Sequence, residues 1–286
     1  MTPEKTWSTP VAAEEKRIVP CALCGGLSFK PSLSCGGFSY VRCVSCGLVQ
    51  MNPQPFAEAI RRRYQGDYLS YELANEEAFL NLQLLALRDA GFESFEQART
   101  TIPESIGPRL LDIGCATGSI LAYLRERGWE CTGVEISGPQ AEYCRQKRGL
   151  DVRSLPLEEN RFPGASFRAV LASHLIEHLN DPAAFIAEVH RILVSGGCFF
   201  VTTPNMAGFQ ARLFGGAWRS AIFDHLYLFS VKTLTRLLEK HGFTAEKIVT
   251  WGGLAAGSAP PSVKRVFDKA AKRLGFGDVM IIKAKK

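Results

Sequence analysis

Three groups of residues in this sequence combine types and spacings that suit chemistry. The first is cysteine. Cys21-x2-Cys24 and Cys43-x2-Cys46 are separated by 18 residues, in the stretches "CALCGG" and "CVSCGL". Two thiolates from each of two tight turns form the donor set of a closed, four-coordinate zinc site, which holds structure and leaves no position open for water. A piece of ~35 residues buries too little core to fold alone, so metal binding would supply its folding energy. Cys35 lies between the pairs and is left over.

The second group is "RLLDIGCATG", residues 109–118: an apolar run, then a turn with Gly114, Ala116 and Gly118, and Asp112 at its lip. Glu135 follows 17 residues after Gly118, closing the run "CTGVE". A dinucleotide fingerprint needs glycine where Ala116 and Ser119 stand, and a phosphate loop needs a Lys-Ser/Thr pair that does not follow. A carboxylate beside the turn repels pyrophosphate but suits a cation. An acid at the end of the second strand accepts hydrogen bonds from both hydroxyls of a ribose. A ligand with a ribose, an ammonium group and no phosphate satisfies both acids, and S-adenosylmethionine is such a ligand.

The third group is histidine. "ASHLIEHLNDP", residues 172–182, carries His174, Glu177 and His178, and the aromatic- and glycine-rich "FGGAWRSAIFDHLYLFS", residues 214–230, carries His225. An imidazole is suited to removing a proton near neutral pH. The same residues also suit plain structural roles, with Glu177 and His178 capping the next helix and His225 satisfied in the core.

The elements that must position these groups alternate. Strands are expected at 109–114, 131–136, 151–154, 168–173 and 197–203, with helices at 118–127, 139–148 and 182–193 between them. Such β-α repetition builds a parallel, Rossmann-like doubly wound sheet with helices on both faces. A helix at 230–241 and a strand at 243–250 follow. About 28 residues without a crossover pattern then lead to "DVMIIKAKK", which is expected as an antiparallel strand at the sheet edge. The glycine turn falls between the first strand and first helix, where a doubly wound sheet binds its ligand.

"LLDIGCATG" followed by "VEIS" resembles the class I S-adenosylmethionine-dependent methyltransferases over roughly residues 107–285. The resemblance implies a seven-stranded sheet with an antiparallel last strand. It implies Asp112, Gly114, Ala116 and Gly118 around the methionine moiety, Glu135 on the ribose and Ile136 beside the adenine. Leu157 and Glu158, in the loop after the third strand, are adenine candidates. "IEHLNDP" resembles the sub-group of ubiquinone-pathway O-methyltransferases, in parts of which the Glu-His pair lies near the substrate as base or as ligand of a divalent cation. His178, His225 and His174 are accordingly the catalytic candidates. Tyr227 is a weaker one, and Trp218 and Phe223 are expected to shape the acceptor pocket. "CGLVQMNPQP" resembles the exit of a zinc ribbon that precedes the catalytic domain in some bacterial methyltransferases.

The expected organisation is a leader at 1–17, a zinc ribbon at 18–55, a helical linker at 56–105 and a methyltransferase domain at 106–286. An insertion at 252–278 holds a basic amphipathic helix, 260–275. Ribbon and linker, with Tyr64, Tyr68 and Tyr71, are placed against one side of the active site. Cys115, Cys131, Cys144 and Cys198 fall on core elements as packing residues. A chain of 286 residues with 46% hydrophobic and 22% charged residues is ordinary for a globular protein. The net charge of +6 is too mild to require nucleic acid. No secretory signal or membrane-length apolar run is present, and nine cysteines without an export signal point to a reducing, cytoplasmic setting. The expected partner is a small-molecule acceptor, methylated at oxygen. Nucleic acid is disfavoured, membrane contact through the basic helix is a secondary expectation, and the oligomeric state is left open. The competing readings are an RNA methyltransferase and a non-catalytic, zinc-dependent binding protein on the same scaffold.

Overall fold

The computed structural model describes residues 16–56, 58–59, 68–97, 107–253 and 260–286. Nearly all of the expected leader, Tyr64 and most of the first helical stretch of the linker lie outside them. A seven-stranded sheet forms the centre. Its strands are β6 (Arg109–Ile113), β7 (Glu130–Val134), β8 (Asp151–Arg153), β9 (Phe167–Ser173), β10 (Leu193–Pro204), β12 (Thr244–Trp251) and β13 (Val279–Lys285), in the order β12-β13-β10-β9-β6-β7-β8. The pairs from β10 through β8 are parallel, and β13 runs antiparallel to both β10 and β12.

One expectation is corrected here. The last strand is antiparallel but is not the edge; it is inserted between β10 and β12. Met280, Ile281 and Ile282 are consecutive and all buried, a run that needs cover on both faces and a partner on both sides. β12 reads "TAEKIVTW", with Glu246 and Lys247 turned away from the core, and such charges suit an edge. β10 also starts earlier than expected, at Leu193, with an irregular register between Leu193 and Cys198.

Helices cover both faces. On one face lie α1 (Tyr68–Asp89), α2 (Phe92–Gln97), α3 (Ser119–Arg125) and α4 (Gly138–Arg148), over a core that includes Leu110, Leu121, Trp129 and Phe200. On the other lie α5 (Pro182–Ile192) and α7 (Val231–Lys240), over Leu111, Ile113, Phe199 and Val201. The period of two sends Leu110 and Asp112 toward the α1 face, and Leu111 and Ile113 toward the other. Between α5 and α7 the chain forms the short α6 (Phe209–Phe214) and β11 (Tyr227–Leu228).

The cysteine segment folds as β2 (Phe29–Cys35), β3 (Phe38–Cys43) and β4 (Val49–Met51), an antiparallel meander. β11 joins it as a fourth strand, pairing Tyr227 with Gln50 and Leu228 with Val49. Tyr40, Leu48, Val49 and Met51 belong to the same core cluster as Phe199 and Val201 of the central sheet. A second ladder pairs β1 (Lys16–Arg17) with β5 (Gln54–Pro55).

The basic helix α8 (Pro261–Leu274) docks through Phe267 and buried Ala271, while Val266 is 69% exposed. Lys264 pairs with Asp268 and Lys272 with Asp89. Among the described residues no helix is long and apolar enough to cross a membrane.

Candidate active site

The turn after β6 is built from left-handed backbone at Gly114 (φ 75°), Ala116 (φ 48°) and Gly118 (φ 73°). Gly118 is required on two grounds: its φ, and the Cβ it lacks, which would stand 2.6 Å from Leu150 Cδ1. The bend lets Gly114 N–H donate to Val134 O at 2.8 Å and Ala116 N–H donate to Glu135 Oε2 at 3.0 Å. Ser137 N–H donates to the other Glu135 oxygen at 2.8 Å. The acid that ends the second strand is therefore locked to the glycine turn, with both oxygens oriented. Ile136 next to it is 46% exposed, open for a planar ring to lie against. Leu157 is buried in the core cluster that also holds Phe162 and Phe167.

Asp112 is only 1% exposed, and among the described residues its Oδ2 has no hydrogen-bond partner. A void of about 20 Å³ beside it is lined by Gln83 and Leu87 of α1 and by Ser173 and Thr202 at the strand ends. Burial, with the Glu135 charge nearby, pushes the Asp112 carboxyl up to about 7. Burial likewise raises Glu135 to about 7, against the backbone N–H groups of Ser137, Ala116 and Ile136 that favour its charge and with Glu72 of α1 adding to the rise. Two carboxylates raised in one cleft, one with an orphaned oxygen, suit a positively charged ligand.

The histidines meet across the carboxyl ends of β9 and β10. Glu177 is buried; its Oε2 accepts from Thr203 Oγ1 at 2.9 Å, and its Oε1 faces His174 Nδ1 at 3.4 Å. Burial alone would raise its carboxyl, but the His174 and His178 imidazoles outweigh burial and hold it down at about 2. His178 and His225 pack edge to face, ring centroids 4.7 Å apart. His178 Nδ1 lies 2.9 Å from Asp224 O, and His225 Nδ1 lies 2.8 Å from Ser220 O. A carbonyl can only accept, so each Nδ1 carries the hydrogen and each Nε2 is the basic nitrogen. Burial, then His178, lowers the His225 imidazole to about 4, so His225 is neutral at physiological pH. Ligand-capable atoms of Glu177, His178 and His225 all lie within 4.8 Å of one another. His174 has φ 52°, a strained conformation for a non-glycine residue, at the strand end where the site opens.

Cys21, Cys24, Cys43 and Cys46 converge with all four sulfurs within 4.8 Å. Cys21 Sγ is 3.3 Å from Cys46 Sγ, and Cys24 Sγ is 3.5 Å from Cys43 Sγ. A tetrahedral ion with metal–sulfur bonds of about 2.3 Å spaces its sulfurs by about 3.8 Å, so the cluster is close to the required shape. The two turns match: Gly25 N–H donates to Cys21 O and Gly47 N–H to Cys43 O, at 2.8 and 3.0 Å.

A family profile for the methyltransferase domain matches residues 69–248. The chain belongs to the methyltransferase-domain family. A ubiquinone biosynthesis O-methyltransferase from Bradyrhizobium sp. (strain ORS 278) is 32% identical over 129 residues, 43% of this chain and 51% of that protein. A probable S-adenosylmethionine-dependent methyltransferase from Mycolicibacterium smegmatis is 32% identical over 145 residues, 49% of this chain and 53% of that protein. The chain thus spans about half the length of these curated relatives. Among solved structures, that of the [4+2]-cyclase SpnF aligns with a TM-score of 0.52 and 21% identity, over 73% of this chain and 81% of that one. That likeness shows the fold alone.

Asp112, the glycine turn, Glu135 and Ile136 lie together at the ends of β6 and β7, and His174, His178 and His225 gather separately beyond the ends of β9 and β10. Tyr227 is buried on β11 and donates to Asn180 O at 3.1 Å. Trp218 is buried with its indole N–H on Asp278 Oδ1 at 2.5 Å, which anchors it beside the start of β13. Phe223 packs on Phe38 of the ribbon, and Tyr71 is exposed on α1. Thr203 and Tyr40 hold the histidine cluster and carried no signal in sequence, since each acts through a partner distant along the chain.

Proposed function

We propose that this chain transfers a methyl group from S-adenosylmethionine to a hydroxyl of a small molecule, in the class of sugars, phenols or natural-product intermediates. The observation that carries this reading is the buried, unpartnered Asp112 oxygen beside a glycine turn that is itself tied to Glu135. These residues fit the cofactor: Asp112 faces its cationic part and Glu135 its ribose, with Ile136 against the adenine. When bound, the sulfonium supplies an electrophilic methyl carbon and leaves as a neutral thioether.

The chain's own task is then to place the acceptor oxygen in line and to take its proton. His178 is assigned as the base through Nε2, because its Nδ1 is committed to Asp224 O and its ring is only half-buried. Neutral His225 packs against that ring and fixes its plane. Glu177 faces the pair and stabilises the imidazolium that forms. The four thiolates are assigned to one structural zinc ion, with no position open for catalysis. Oxygen as the methylated atom is supported by the O-methyltransferase relatives. A second reading, favoured by the convergence of Glu177, His178 and His225, places a divalent cation there to acidify the hydroxyl.

The test is calorimetry with S-adenosylmethionine, followed by transfer of a labelled methyl group into a metabolite extract. Binding with label in a small, ribonuclease-resistant product is the expected result. Label lost on ribonuclease treatment would favour RNA as the acceptor, and binding without turnover on any extract would favour a non-catalytic scaffold. His178→Ala should lower turnover by about 10²–10⁴-fold with cofactor affinity retained. Stimulation of the wild type by added magnesium would favour the cation reading.

A further inference from the structure

Residues Ile222–His225 form a tight turn, closed by His225 N–H on Ile222 O at 3.1 Å. That turn sets both rings of the histidine pair. Its last residue is His225, and its third residue, Asp224, offers the carbonyl that holds His178 Nδ1. The two carbonyls at its ends, Ile222 O and His225 O, lie 2.7 and 2.8 Å from one atom, the hydroxyl of Tyr40. The next carbonyl, Leu226 O, accepts from Met51 N–H of β4 at 2.8 Å. The donors to Ile222 O, His225 O and Leu226 O that come from outside this segment, Tyr40 and Met51, both belong to the cysteine ribbon.

We propose that Tyr40 is a positioning residue for the His225–His178 pair, and that metal occupancy of the ribbon governs it. This rests on the reading of the pair as the acceptor-side machinery. Tyr40 is fully buried and sits on β3, whose last residue is the thiolate ligand Cys43. Along the backbone, three strand steps, roughly 10 Å, separate Cys43 from Tyr40 on the same element. The phenol has a single hydrogen to share between two carbonyls, so it pins the turn from both ends. Phe38, two residues earlier on the same strand face, stacks edge-on against Phe223 inside the turn, ring centroids 5.6 Å apart. From the other side, Leu226 N–H donates to Glu177 O at 2.7 Å. The turn is therefore clamped between the ribbon and the main-chain carbonyl of Glu177, and the clamp on the ribbon side is only as firm as the end of β3 that carries the thiolate Cys43.

The experiment uses the full chain with zinc bound and ¹⁵N-labelled histidine, followed by long-range ¹H–¹⁵N spectra at fixed pH, beside calorimetry with S-adenosylmethionine. In Tyr40→Phe the ring signals of His225 and His178 should shift from the pure Nδ1–H pattern, while those of His190 and His241, outside the cluster, stay put. Cofactor affinity and zinc content should be unchanged. Stripping zinc from the wild type should move the same two histidines. Folded Tyr40→Phe with wild-type His225 and His178 signals would overturn the proposal. Should that variant not fold, the zinc-stripped wild type decides alone, and unmoved signals there overturn it equally. Failure of the wild type to bind S-adenosylmethionine would sink the methyltransferase reading and leave this spectral comparison intact.

Discussion

Asp112 carries a measurable conflict between stability and binding. Its carboxyl, raised to about 7 by burial first and then by Glu135, ionises more readily in the unfolded chain than in the folded one. For an acid raised in this direction, stability is full below the unfolded value and declines as pH rises toward 7. Holding the charge at pH 8 costs the ligand-free protein about 4 kcal/mol, from ~1.4 kcal/mol per unit of the rise from 3.8 to about 7. Asp112→Asn removes that cost but leaves an amide with the same unmet hydrogen bond, so part of it returns. The variant should melt higher than the wild type at pH 8 and bind S-adenosylmethionine poorly, checked by thermal denaturation and calorimetry. A related expectation concerns pH. A cation favours ionised Asp112 and Glu135, so binding below pH 7 must expel protons. Affinity should fall by up to about ten-fold per acid for each unit below 7. Equal affinity at pH 6 and pH 8, with no proton release in buffers of different ionisation heat, would remove both acids from the cofactor site.

At the scale of elements, α7 shows how local chemistry anchors the site. Its N-cap Ser230 accepts from Thr233 N–H at 3.2 Å, and the Thr233 hydroxyl accepts from Ser230 N–H at 2.9 Å, a reciprocal pair. The segment bearing His225 ends on this cap. Ser230→Ala should destabilise the protein by about 1 kcal/mol, read from urea unfolding with an unchanged slope. That helix, like the β-α alternation and the glycine turn, was legible in the sequence because its signals are local: periodicity, a cap residue, a missing side chain. The placement of Asp112 and Glu135 beside that turn was legible for the same reason, each standing a fixed distance from it. The pairing of β11 with the ribbon was not, because Tyr227–Leu228 is two residues long and its partner lies nearly 180 positions away. The inserted position of β13 escaped too, although the uninterrupted "VMII" held the clue that both its faces are covered. Tyr40 reads as an ordinary strand tyrosine until the turn it grips is seen.

Over the whole molecule, the decisive question is whether the ribbon and the methyltransferase sheet form one cooperative unit. Their shared features argue that they do. One core cluster contains Cys21, Leu48 and Met51 together with Phe199 and Leu234, β11 completes the ribbon's sheet, and Lys240 at the end of α7 donates to Leu23 O at 3.1 Å. On the proposed zinc assignment, a ribbon of this size draws its folding energy from the metal, so removing zinc would withdraw support from every contact it makes with the larger half. Heating should release zinc, followed with a colorimetric chelator, over the same temperature range as tryptophan fluorescence reports loss of the sheet. Trp129, Trp218 and Trp251 supply that signal, since all three belong to the methyltransferase half. Cys43→Ser should bind less than one zinc per chain and melt well below the wild type by the same fluorescence. Zinc release at a distinctly lower temperature, with the tryptophan signal undisturbed, would mean the ribbon unfolds as a separate domain. In that case the shared cluster is mere contact, and the route from metal to histidine pair runs through no cooperative structure.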